Sequence, residues 1–160
     1  MGRWTAPAFL IPRLSSSDRF SVAESGDKLS ITLDEARATL RNDDARFNAA
    51  WFGSLAFAIE SAAGGQRFSV ALRGHVQKPE SARATVLLDV AGGVVTREFP
   101  YGQPFDEPFS IATAFVINKW MNRRITVSIA LLLERQDDVD EATLVIDSED
   151  AAVIRLLLGP

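Results

Sequence analysis

Arg73, His75 and Gln77 stand at every second position of "RFSVALRGHVQ". On an extended segment that spacing puts a guanidinium, an imidazole and a carboxamide on one face. Planar donors and acceptors of this kind suit the hydroxyls of a sugar. Asp89, in "ARATVLLDV", adds a carboxylate, and the loop "NKWMNRR" adds the amide of Asn118 and the aromatic ring of Trp120. A binding surface is expected from Arg73, His75, Gln77 and Asp89, with Ser54, Ala56, Ala58, Glu60, Thr85 and Leu87 as smaller neighbours and Phe52 or Trp120 as a stacking face. The competing reading is a solvated sheet face on which Arg73 and Asp89 form a cross-strand ion pair of little energetic weight. Trp120 has its own alternative, folding back with Met121 to cover the open end of a sandwich.

Catalysis finds less support. His75 is the one histidine, and a Ser–His–acid arrangement needs an activated serine beside it. No serine here sits in a G-x-S-x-G turn. Carboxylates able to act as a pair on a glycosidic bond fall in turns, where solvation accounts for them. The expectation is a protein that is not an enzyme. "AAGGQR" and "AGGVV" read as hairpin turns rather than a phosphate loop.

The acidic turns are the place for a metal. Asp137, Asp138, Asp140 and Glu141 lie in one, and Asp147, Glu149 and Asp150 follow the segment "TLVID". Asp147 and Glu149 are the candidate ligands, and calcium, a hard ion that takes carboxylate and carbonyl oxygens, is the ion they suit. Neither group has EF-hand spacing, and a solvated hairpin that resists aggregation is the alternative. No cofactor is expected beyond such a structural calcium.

Bulk properties bound these choices. The chain has 160 residues, long enough for one domain with a sizeable core, a formal charge of −4 and no cysteine. An acidic chain has no broad attraction to nucleic acid. Thiolate metal sites, disulfides and a cysteine nucleophile are excluded, and the compartment is left open. No stretch approaches the roughly 20 apolar residues of a spanning helix. Pro7 and Pro12 interrupt the start, which is expected to be an N-terminal extension or irregular segment over residues 1–17, not an export signal.

The elements that must position these residues are strands. From Ala50 onward, short alternating segments are punctuated by turn signals, the pattern of an all-β sandwich or barrel. Phe68, Val70, Leu72 and Val76 oppose Arg73, His75 and Gln77; Ile125, Val127, Ile129, Leu131 and Leu133 oppose Thr126, Ser128 and Ala130. The bulky faces must meet, which favours two packed antiparallel sheets. "RFSVAES" and "KLSITL" read as strands joined at Ser25–Gly26–Asp27. "DEARATLRNDDARF" reads either as a short helical turn capped at Asp34 with Ala36, Leu40 and Phe47 inward, the favoured choice, or as a strand and a long loop. If successive strands are antiparallel, "KPES", "PYGQPFDE" and "RQDDVD" gather at one end. "SAAGGQ", "AGG" and "NKWMNRR" then gather at the other, about 30 Å away at about 3.3 Å per residue.

In strand pattern and order, "FSVALRGHVQ…ARATVLLDVAGG", "PFSIATAFVIN…ITVSIALLLE" and "EATLVIDSEDAAVIRLL" resemble the jelly-roll carbohydrate-binding modules with a galactose-binding-like fold. The resemblance covers Ala50 to Leu158. It implies a non-catalytic jelly-roll-like β-sandwich that binds a glycan or oligosaccharide on a concave face or at loop ends, often with a structural calcium. The sequence thus leads to two functional expectations. The first is a carbohydrate-binding module. The second is a structural or protein-interaction sandwich that forms a homo-oligomer through an edge strand such as "AAVIRLLL" or an apolar patch.

Overall fold

The computed structural model describes residues 3–4, 8–9, 19–25, 28–34, 36–60, 67–90, 92–116, 124–137, 140–146 and 152–157. Among these are thirteen strands: β1 Arg3–Trp4, β2 Ala8–Phe9, β3 Arg19–Ser25, β4 Lys28–Asp34, β5 Arg37–Leu40, β6 Asn48–Glu60 and β7 Arg67–Lys78. They continue with β8 Ala82–Val90, β9 Gly93–Phe99, β10 Phe105–Val116, β11 Arg124–Arg135, β12 Ala142–Ile146 and β13 Ala152–Leu157. No helix among the described residues is long and apolar enough to cross a membrane.

The strands form two antiparallel sheets. The first runs β1-β6-β11-β8-β9, with β2 also paired to β6; the second runs β3-β4-β13-β7-β12-β5, with β10 paired to β7. From β6 the chain crosses between sheets at β7, β8, β10, β11 and β12, the jelly-roll-like alternation of a β-sandwich. β7 organises the second sheet. Its whole length pairs with β10, from Phe105↔Lys78 to Val116↔Arg67. Along its other edge β12 and β13 lie end to end, β12 opposite residues 74–77 and β13 opposite residues 67–72.

Period-two alternation decides which side chains enter the core. β8 alternates without a fault, with Ala82, Ala84, Val86, Leu88 and Val90 buried between half-exposed neighbours. Val70, Leu72 and Val76 of β7 and Val127, Ile129, Leu131 and Leu133 of β11 are buried in one core between the two sheets. Trp51 is buried as well, and a side chain at Gly53 would run into its indole ring. Phe99 packs edge-on to Phe105, with ring centroids 5.2 Å apart, and tilted against Phe109 at 5.9 Å. Rings at these separations contribute beyond the area they bury.

The first third corrects one expectation. Residues 37–40 form a strand, not a helical turn: Ala36, Ala38 and Leu40 are buried, and Phe47 is 53% exposed. Ala36 and Leu40 are four apart, a spacing shared by one helix face and one strand face. Ala38 settles the period. β5 completes the edge of the second sheet by pairing Leu40 with Ala142 and Arg37 with Val145. β3 and β4 form the expected hairpin, from Arg19↔Asp34 to Ser25↔Lys28.

Candidate functional site

Outward parity on β7 puts Arg73, His75 and Gln77 on the outer face of the second sheet, as the alternation predicts. Strand pairing extends that face into rows. Gln77 lies between Asp106 of β10 and Thr143 of β12, and Thr143 lies beside Thr39 of β5. His75 lies between Pro108 and Val145, with Arg37 beyond. From β10 to β5 is three strand spacings, about 14 Å.

Two open depressions adjoin across the Gln77–Thr143 pair. One, of about 760 Å³, is lined by Arg37, Thr39, Arg41, Asp43, Asp44, Arg46 and Thr143, with Ala38, Ala45, Ala49 and Ala50. The other, of about 540 Å³, is lined by Gln77, Lys78, Pro79, Pro104, Phe105, Asp106, Asp140 and Glu141. The paired row Asp106–Gln77–Thr143–Thr39 links them across β10, β7, β12 and β5. The two depressions with this row are together termed the trough, with three arginines beside Asp43 and Asp44 at the β5 edge and Asp106, Asp140 and Glu141 at the β10 turn. His75 lines neither depression; its Nε2 lies 2.7 Å from Asp106 Oδ1, on the same sheet face one row away.

Two buried cations hold its walls. Arg135, 4% exposed, donates from Nε to the Arg46 carbonyl at 2.9 Å and from Nη1 to the Arg41 and Asp140 carbonyls at 2.8 and 2.9 Å; Nη2 donates to the Asp44 carbonyl. The loop that carries Arg41 and Arg46 is therefore tied by its backbone to the end of β11. Within it, Arg46 Nε donates to Asp44 Oδ2 at 2.6 Å. That hydrogen bond holds the Asp44 carboxyl below the usual carboxylate range and raises Arg46 in turn.

Lys78, 2% exposed, does the same at the other depression. Its Nζ donates to the carbonyls of Gln103, Pro100, Ala82 and Pro79 at 2.5, 2.7, 2.8 and 3.2 Å, and lies 5.1 Å from the Phe105 ring centroid. Burial pushes its pKa down from the ordinary lysine value. Gly102 N donates to Glu80 O, and Gln136 N to Ser81 O. Thus "KPES", "PYGQPFDE" and "RQDDVD" meet at one end, as expected.

Other predicted residues go elsewhere. Asp89 is on the outer face of the first sheet, so the expected single polar face is divided between the two sides of the sandwich, and no Arg73–Asp89 pair forms. The physical reason is connectivity. β6, β7 and β8 follow one another in sequence, yet β7 crosses to the other sheet and β11 separates β6 from β8. Asp89 instead accepts from Gly92 N at 3.0 Å and fastens the β8–β9 turn. Ser54 is buried and bonded to Ser128 at 2.9 Å. Asn118, Trp120, Asp147 and Glu149 lie outside the described residues. The strand leading to Trp120 ends at Val116, opposite Arg67 and at the far end of β10 from Asp106. Among the described residues no three potential metal-ligating His, Cys, Asp or Glu side chains come together.

Arg37, Thr39, Arg41, Arg46, Thr143, Lys78 and Arg135 were not anticipated as parts of a site. The available signal was parity. Lys78 continues the inward series Val70, Leu72, Val76, and Arg135 continues Val127, Ile129, Leu131, Leu133. A charge at an inward position, at a strand end, has to find carbonyl partners.

No family model matches the sequence, and no curated protein matches it. Among solved structures, the chain is similar to the enzymatically active domain of bacteriophage CBA120 tailspike protein 4, with 10% identity and a TM-score of 0.33 over 96% of this chain and 19% of that one. It is similar to TmCBM61, solved in complex with β-1,4-galactotriose, with 12% identity and a TM-score of 0.32 over 89% and 90% of the two chains. A third neighbour is an exo-β-1,3-galactanase from Phanerochaete chrysosporium solved with galactose, with 14% identity and a TM-score of 0.24 over 87% and 29%. The chain thus spans less than a third of the tailspike and galactanase chains.

Proposed function

We propose that this chain is a non-catalytic carbohydrate-binding module that takes an oligosaccharide along the trough on the outer face of the second sheet. The observation that carries the reading is the trough itself. It is open and about 14 Å across its four strands, and it is lined by guanidinium, carboxamide, hydroxyl and carboxylate groups on a rigid sheet. Those groups supply both donors and acceptors for ring hydroxyls. Pro108 and Val145, the register partners of His75, offer apolar surface beside the trough for a sugar's C–H face.

A glycan array of neutral and acidic oligosaccharides tests this, with wild type beside Arg73→Ala, Gln77→Ala, Arg41→Ala and Trp120→Ala. Binding lost in Gln77→Ala and Arg41→Ala and kept in Trp120→Ala locates the ligand in the trough, and a further loss in Arg73→Ala extends its footprint along β7. The reverse pattern moves it to the loop at the far end of β10. No binding to any glycan removes the proposal, and turnover of a chromogenic glycoside removes its non-catalytic half.

A second reading, an interaction module that self-associates, draws on the other outer face. There Phe52 and Val94 are 47% and 56% exposed, and Phe52, Ala130 and Leu87 form one cross-strand row. Mass measured over a dilution series separates the two. A dilution-resistant oligomer that Phe52→Ser dissociates favours assembly.

A further inference from the structure

Building on the reading of the trough as a glycan site, we infer that its ligand is an acidic glycan, with a carboxylate or sulfate at the β5 end. Arg37 and Arg41 share the outer face of β5 and the loop that follows, about 13 Å apart along the strand. Arg46 is already committed to Asp44, with Nη2 2.5 Å from Oδ2. No hydrogen bond or ion pair among the described residues involves the side chains of Arg37 or Arg41, and both are exposed. Two uncommitted guanidinium groups therefore line one depression, beside the hydroxyls of Thr39 and Thr143; of its two carboxylates, Asp44 is neutralised by Arg46 and Asp43 is the single remaining negative charge against two positive ones. A guanidinium fork matches a planar carboxylate or a sulfate with two parallel hydrogen bonds. A neutral sugar draws nothing from that charge.

Two further features point the same way. The backbone beneath Arg41 is fixed, because Arg135 holds its carbonyl; a ligand that engages it does not have to order the loop. The charge distribution also gives the ligand a direction. The chain carries a formal −4 overall, and Asp106, Asp140 and Glu141 line the opposite end of the trough. A polyanion is repelled there and drawn to the β5 edge. The favoured ligand carries its charge at one end and neutral sugar at the other.

Calorimetric titration of the intact chain with four probes tests the inference: an oligogalacturonate, its methyl ester, a sulfated galactan oligosaccharide and a neutral galactan oligosaccharide. Each is measured at low and high salt. The expected result is tight binding of one or both anionic probes, weakened by salt, with the methyl ester and neutral probe bound about ten-fold or more less tightly, as loss of a charge-assisted contact implies. Carboxylate and sulfate sources are separated by which anionic probe binds. Arg37→Gln/Arg41→Gln should remove the preference and leave the residual neutral affinity. The ester comparison uses wild-type protein and so holds even if a variant folds poorly. Equal binding of neutral and anionic probes overturns the acidic-glycan inference while the trough reading stands. Duplex DNA is titrated as a control, and binding equal to that of the anionic glycans overturns the inference as charge alone. Failure of all four probes, with the array also blank, removes both.

Discussion

Arg135 and Lys78 are charged, almost fully buried, and solvated entirely by the fold. An ammonium or guanidinium taken out of water is strongly unfavourable unless polar groups replace its hydration shell. Each of these has four backbone carbonyls doing so. Arg135→Ala leaves those carbonyls without their donor. We expect a loss of about 3 kcal/mol, from several hydrogen bonds to a charged donor, read as a lower urea midpoint. Glycan affinity should fall with it, since the Arg41–Arg46 loop loses its tether; Arg41→Gln should lower affinity with no change in the midpoint. For Lys78 the sign of the pH effect follows from its depressed pKa. Between the folded value and the ordinary lysine value of about 10.4, the unfolded chain binds more protons than the folded one. Stability from this group therefore rises with pH through that window. Denaturation curves for wild type and Lys78→Met should diverge in favour of wild type as the solution is made more alkaline, and parallel curves would show that Lys78 does not titrate differently on folding.

β7 and β5 set what the trough can be. Among the described residues β7 is paired along its whole length with β10 and along most of its other edge with β12 and β13, and Gly74 sits opposite Phe109 on one side and Ile146 on the other. A Cβ at Gly74 would collide with the Val145 carbonyl and the Phe109 ring. Gly74→Ala should destabilise the domain by about 2–3 kcal/mol, the cost of overpacking a filled core, and a thermal melt reads it directly. An unchanged melting temperature would mean that Phe109 moves aside freely. β5 is the element the sequence left ambiguous, and the ambiguity is physical. Arg37, Thr39 and Arg41 alternate with Ala38 and Leu40, a strand pattern only five residues long, embedded in a stretch whose alanines and arginines favour a helix and whose Asp34 offers it a cap. Its strand identity comes from pairing with β12, more than a hundred residues later, which no local window contains. The longer strands needed no such help: β8 ends where its alternation ends, at Ala82 and Val90.

At the scale of the molecule, alternation revealed two faces for strands such as β7, β8 and β11 without revealing which sheet owns each of them. Arg73, His75 and Gln77 were legible as coplanar because they share a strand. Asp89 was not separable from them, because hairpin and crossover connections look alike in sequence. The two outer faces stand back to back across sheets about 10 Å apart. Phe52→Ser should therefore leave glycan binding unchanged within experimental error. A loss of binding in that variant would place the ligand on the first sheet and retire the trough.

The buried Lys78 has one more consequence. A free ion seated among loop carbonyls obeys mass action: dilution or a chelator withdraws it, and the stability it confers goes with it. The ammonium of Lys78 is delivered to its four carbonyls by its own side chain. Its local concentration is set by a covalent tether, so neither dilution nor a chelator changes it. The turns at residues 79–82 and 100–103 should keep their order, and their resistance to proteases, in a chelating buffer and at any protein concentration.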